Sequence, residues 1–140
     1  MDELMELRRA ITDGRYSDAL HIVDELDEMA KDDKTDKVFS YMQILLTHLI
    51  KRQAEQRTTP SWDGSIEHAV YQIGRVNKRR KAGGHYMPND ELLETLHESF
   101  ALALTQASLE TLGGAFTKQQ LLAKIDKNSI VAEAMRLIEH

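Results

Sequence analysis

The stretch DKVFSYMQILLTHLIKRQAEQ, residues 36–56, decides the fold. On a helical wheel at roughly 100° per residue, Val38, Phe39, Tyr41, Met42, Ile44, Leu45, Leu46, Leu49 and Ile50 spread over most of the circumference. Only Ser40, Gln43, Thr47 and Lys51 hold a polar stripe. A helix that is apolar on most sides is buried by several neighbours. This one is therefore expected to be the central helix of a bundle, with Thr35 as its N-cap. A core helix of this kind leaves little room in a small protein for a reaction centre.

The flanking sequence is also helical. Alternating strand patterns are absent, and the two prolines, Pro60 and Pro88, fall in breaks. On the N-terminal side the spacing predicts a helix over 2–13, with Leu4, Leu7 and Ile11 on one face. Gly14 supplies the left-handed residue that ends it. A second helix over 16–31 is expected to bury Leu20, Val23 and Leu26. The turn at Gly14-Arg15-Tyr16 resembles that of a tetratricopeptide repeat, but no second copy follows, which argues against a solenoid.

On the C-terminal side, Ser61 is expected to cap a helix over 62–81, with Ile66, Ala69, Val70, Ile73 and Val76 as its apolar line. Asn89 is expected to cap a helix over 89–112, running through Leu92, Leu93, Leu96, Phe100, Leu104 and Leu109. Its Ala101, Ala103 and Ala107 suit a close helix approach. Thr117 with Gln120 forms a capping box for a short helix, and a last helix covers 129–138. The expectation is an all-α irregular bundle of about five main helices plus a short C-terminal helical element, in one domain over 1–140.

Composition narrows the function classes. The chain has 140 residues, 41% hydrophobic and 29% charged, with no cysteine. That is enough chain for a core without disulfides, and it excludes thiol nucleophiles and cysteine-ligated zinc. The start, Met1-Asp2-Glu3-Leu4, lacks the basic flank of a signal peptide. No apolar run approaches the ~20 residues that span a bilayer, so a cytoplasmic protein is expected. Residues 1–36 carry 12 acids and 5 bases, whereas residues 51–81 carry 8 bases and 3 acids. Opposite poles of this kind attract within a fold or between copies, or offer a basic face to an acidic partner.

Few residues carry chemistry. His48 lies inside the apolar arc, where a buried imidazole needs partners for its ring nitrogens. It is either a ligand or proton carrier, or a core histidine bonded to a neighbour; the second carries more weight, because one histidine is not a site. Trp62 is either an aromatic anchor for a partner or a plug at the bundle end. The run Arg75, Lys78, Arg79, Arg80 and Lys81 suits phosphates, but basic residues at a helix C-terminus equally offset its dipole. His97-Glu98 lacks the second histidine of a zinc-protease helix, where Ala101 stands. Glu94 and His97 make one Glu-x-x-His, whereas a di-metal bundle needs two.

The segment Leu45-Leu46-Thr47-His48-Leu49-Ile50-Lys51-Arg52-Gln53, followed by Ser61-Trp62-Asp63-Gly64-Ser65-Ile66, resembles the hallmark of a bacterial family, domain of unknown function 29. The hairpin at Gly14-Arg15-Tyr16 and the acidic helix over 23–29 are similar to its N-terminal part. Arg52 stands where the family commonly has an aromatic, Ser65 where it has threonine, and the tail lacks a Cys-Pro element. The resemblance implies an all-helical fold and no settled activity. The expected function is a non-enzymatic helical protein–protein interaction module, with a protein partner or, by self-association, a second copy, and with no cofactor or metal. The alternatives are a nucleic-acid-associated, antitoxin-like regulator using residues 75–81, and a small-ligand or metal site near His48. The candidate binding residues are His48, Lys51, Trp62, Arg75, Lys78, Arg79 and Arg80, with none catalytic.

Overall fold

A computed structural model describes residues 2–79 and 83–140. Helices α1 (Glu3–Thr12), α2 (Tyr16–Glu55), α3 (Pro60–Asn77) and α4 (Asn89–Glu110) are followed by a 3-10 turn at Thr111–Gly114 and by α5 (Lys118–Leu122) and α6 (Lys127–Ile138). The all-α expectation holds, and no strand occurs among the described residues. None of the described helices is long and apolar enough to cross a membrane. The residues cluster into two compact units, Met1–Lys34 and Thr35–His140.

The first unit is a helical hairpin. Asp2 caps α1 by accepting a hydrogen bond from the Leu4 amide at 3.0 Å. Gly14 takes φ +74°, and Arg15 bridges Asp13 and Asp18 at 3.4 and 3.1 Å across the turn. Leu20 and Val23, expected to be buried, are exposed, and Leu26 is only partly covered; on the α1 face Leu4 and Ile11 are exposed and Leu7 is partly covered. Among the described residues of this unit, only Ala10 and Ala19 are buried. Some 34 residues are too few to enclose a core of their own.

A second correction concerns the break expected before residue 36. The two helices placed at 16–31 and 36–56 are one continuous helix of 40 residues, with Thr35 in its interior. Residues 31–36 contain no glycine or proline to stop it. Asp27 and Lys31, and Asp33 and Lys37, stand one turn apart with opposite charge, a spacing that supports a helix. The low helix propensity of aspartate and threonine costs only tenths of a kcal/mol, roughly, at each position.

The second unit holds the core. Val38, Met42, Leu45, Leu46, Leu49 and Ile50 of α2 are at most 2% exposed. They pack in one cluster with Ile66, Ala69 and Ile73 of α3, Leu92, Leu96 and Phe100 of α4, Leu121, and Ile130 and Val131 of α6. Enclosure of α2 is incomplete, since Ile44 is exposed. In α4 the buried face runs through Leu92, Leu96, Phe100, Ala103 and Ala107, while Leu93 and Leu109 point to solvent.

Two caps differ from expectation. Thr59, not Ser61, caps α3 by accepting from the Trp62 amide at 3.1 Å, with Pro60 in the first turn, where its missing N–H is no loss. Asn89 is the first residue of α4 rather than its cap, and its side chain instead bonds the backbone of His140. The capping box of Thr117 and Gln120 forms as read. The third helix ends at Asn77, whose buried amide donates to the Met87 carbonyl at 3.0 Å and accepts from the Met87 amide at 2.8 Å.

Candidate functional site

Three of the candidate residues converge. His48 and Lys51 stand one turn apart on α2, and Trp62 sits in the first turn of α3. The Lys51 ammonium lies 3.1 Å from Glu110 Oε1 of α4 and 4.7 Å from the centre of the Trp62 ring. Arg57 places its guanidinium 4.8 Å from the same ring. Lys51 is only 5% exposed. Desolvating an ammonium costs several kcal/mol, roughly, unless it is paired. Here the carboxylate and the ring face offset that cost. Lys51 is thus engaged in joining α2 to α3 and α4, and it leaves the polar stripe in which the sequence placed it.

Beside this contact lies an open groove of about 370 Å³, lined by Gln43, Ile44, Thr47, His48, Gln106 and Glu110. Gln106 donates to the second Glu110 oxygen at 2.7 Å. Thr47 turns its hydroxyl back to the Gln43 carbonyl at 2.7 Å. His48 Nδ1 is buried and finds no hydrogen-bond partner among the described residues. Burial first, and then the Lys51 charge, holds the His48 imidazole below its ordinary 6.5, with Glu110 pulling weakly the other way. Burial also works against the Glu110 carboxylate. Hydrogen bonds from Gln106 and Lys51, with the Lys51 and His48 charges, outweigh it and leave the acid below its usual 4.5.

At neutral pH the groove therefore presents a neutral imidazole beside an ion pair that is already satisfied. The described residues bring no hydroxyl or second acid into hydrogen-bonding reach of His48 to form a nucleophile–base pair. They contain no group of three or more metal-ligating side chains positioned around one point.

The basic segment lies elsewhere. Arg75 and Lys78 follow Trp62 by 13 and 16 residues along α3 and its C-cap, so roughly 20–24 Å separates them from that ring at 1.5 Å per residue. Both are exposed. Arg79 lies 4.7 Å from the centre of the Tyr86 ring, which stabilises the return of the chain toward Met87. Arg80 and Lys81 lie outside the described residues. The six described candidates thus divide into Lys51 with Trp62 and the neighbouring His48 on one side, and Arg75, Lys78 and Arg79 at the far end of α3 on the other.

A further surface escaped the sequence reading, which set Leu4 and Ile11 on one helix face, expected Leu20 and Val23 to be buried and assigned Tyr16 no role. In the first unit Leu4, Ile11, Tyr16, Leu20 and Val23 are 45–66% exposed. Periodicity shows which residues share a helix face but not whether a neighbour covers it. The signal that was available is quantitative: two short stripes with 11 acids in residues 2–34 leave too few partners to cover them. Glu110, Gln106 and Arg57 also went unread. Glu110 stands 59 residues from Lys51, and no local spacing links them.

No curated protein and no solved structure matches the chain. A family model described as domain of unknown function DUF29 matches residues 7–133. That span takes in most of the first unit, the Trp62 contact and nearly all of the helical core, so the chain belongs to the DUF29 family.

Proposed function

We propose that this chain is a non-enzymatic helical protein-interaction module whose contact face is the apolar side of the hairpin formed by α1 and the start of α2. One observation carries the reading: Leu4, Ile11, Tyr16 and Leu20 are each more than half exposed in a unit whose described residues bury only two alanines. Scattered single apolar residues on a surface are ordinary, whereas a contiguous patch marks a contact. The Trp62 contact supports the same view, because its charges are paired with one another and hold helices together.

Photo-crosslinking in cells tests the proposal. A benzophenone amino acid at position 16 or 20 is expected to give a discrete adduct. The control is position 71, since Tyr71 of α3 is 65% exposed and lies in the other unit. Adducts from positions 16 and 20 no stronger than those from position 71 would defeat the reading.

A further inference from the structure

We infer that the open cavity beside the turn from α2 to α3 binds an oxyanion, the phosphate or carboxylate group of a small molecule, between the guanidinium groups of Arg52 and Arg57. The cavity measures about 400 Å³, which suits a small ligand. All of its lining residues belong to the second unit. The chain reaches it by a sharp turn. α2 ends at Glu55, Gln56 takes a left-handed φ of +52°, and Arg57 lies against the first turn of α3. There Arg57 donates from Nε to Glu55 at 2.9 Å, and its guanidinium stands 4.8 Å from the centre of the Trp62 ring. Those two contacts fix the fork. They leave its two terminal nitrogens without a hydrogen bond among the described residues.

Arg52 is held still more loosely. It faces Asp63 and Glu133, but each N···O distance is 3.8 Å, too long for a hydrogen bond. Gln53 accepts from the Asp126 amide through Oε1, which leaves its NH2 group unbonded among the described residues. Against these donors the lining holds one carboxylate, Glu133, so Arg52 and Arg57 leave it one net positive charge. Asp63 and Glu55 stand near but outside the lining, and each is engaged: Asp63 accepts from the Thr58 hydroxyl, and Glu55 from Arg57. Glu133 is tethered to α6 and stops short of Arg52. A free oxyanion has no tether. It can close to the ~2.7–2.9 Å of a charge-assisted hydrogen bond and accept from a guanidinium fork with two oxygens at once. Leu49, almost fully buried, gives the cavity an apolar wall, and such bonds are stronger beside it than in open water.

The test titrates the full, isotope-labelled chain with sodium phosphate, with sodium succinate and, at matched ionic strength, with sodium chloride. NMR follows the Nε–H groups of Arg52 and Arg57 and the side-chain amide of Gln53. At least one of the two oxyanions should give saturable shifts with a Kd of ~10 mM or below, and chloride should not. Tighter phosphate marks a phosphoryl ligand, and tighter succinate a carboxylate ligand. Arg52→Gln and Arg57→Gln should each weaken binding at least ~5-fold. Glu133→Gln should tighten it at least ~3-fold, because a competing charge is gone. Glu133 is partly exposed and gives up only a loose pair, so this variant decides the matter if an arginine variant fails to fold by circular dichroism. Glu94→Gln, exposed in the N-terminal part of α4, should leave Kd unchanged. Shifts that chloride reproduces, or no saturation below ~50 mM, overturn the proposal. A Kd unmoved by Glu133→Gln overturns it as well. Equal tightening by Glu94→Gln and Glu133→Gln reduces the effect to bulk charge and has the same consequence.

Discussion

At His48 a buried ring nitrogen without a hydrogen-bond partner meets a neighbouring ammonium. Both features favour the neutral ring, and that preference has a sign in stability. The folded imidazole titrates below 6.5, so well above that pH the ring is neutral in both the folded and the unfolded chain and stability is whole. Below 6.5 the unfolded chain takes the proton first, and stability falls until the folded ring is protonated too. Glu110 acts lower on the scale. Its folded carboxyl lies below 4.5, so its contribution is complete above that pH and is lost as pH falls beneath it. His85 has the same sign as His48, through slight burial and the charges of His140 and Lys78. Urea midpoints followed from pH 8 to 4 should therefore decline in two stages. His48→Gln should shrink the stage below 6.5 to the His85 share and leave most of the stage below 4.5, since the His48 charge is the last of the causes that hold Glu110 low. An unchanged upper slope in His48→Gln would show that the ring is not held neutral.

At the scale of the helix, α2 shows how sharply cost depends on facing. Leu45 is fully buried while its neighbour Ile44 is 42% exposed on the groove. Leu45→Ala should cost ~2–5 kcal/mol, and Ile44→Ala about 1 kcal/mol or less. Chemical denaturation of the two variants measures both, and similar losses would contradict the facing. The wheel of residues 36–56 made the buried side legible, because a stripe that wide has few solvent-facing solutions. The N-cap at Thr35 was not legible in the same way. Thr35 has a capping residue's chemistry, but nothing before it breaks the helix, so α2 runs through. Thr59 and Ser61 compete for the α3 cap on equal chemical terms. Pro60 decides between them, since it fits the first turn of a helix and so places the cap one residue earlier. Lys51 looked polar and exposed on the wheel. Its burial depends on Glu110 and Trp62, which only the tertiary fold brings to it.

For the whole molecule, one helix passes through two units of unequal means. Ordering a residue's backbone costs ~1–2 kcal/mol, and burial of apolar area is the main term that offsets it, at ~25 cal/mol per Å². The second unit buries the Val38-to-Ile50 side of α2, whereas the first buries little beyond Ala10 and Ala19. The hairpin thus has much less stabilisation per residue than the core, and it should open locally far more often. Native-state hydrogen exchange of the full chain reads this within α2 itself. The Leu45 and Leu49 amides should exchange near the free energy of global unfolding, ~5–15 kcal/mol. The Leu20 and Val23 amides, in the same unbroken helix, should exchange several kcal/mol below that, roughly. If Leu20 and Leu45 exchange at the same free energy, the hairpin is self-sufficient, and its apolar face has no need of a partner.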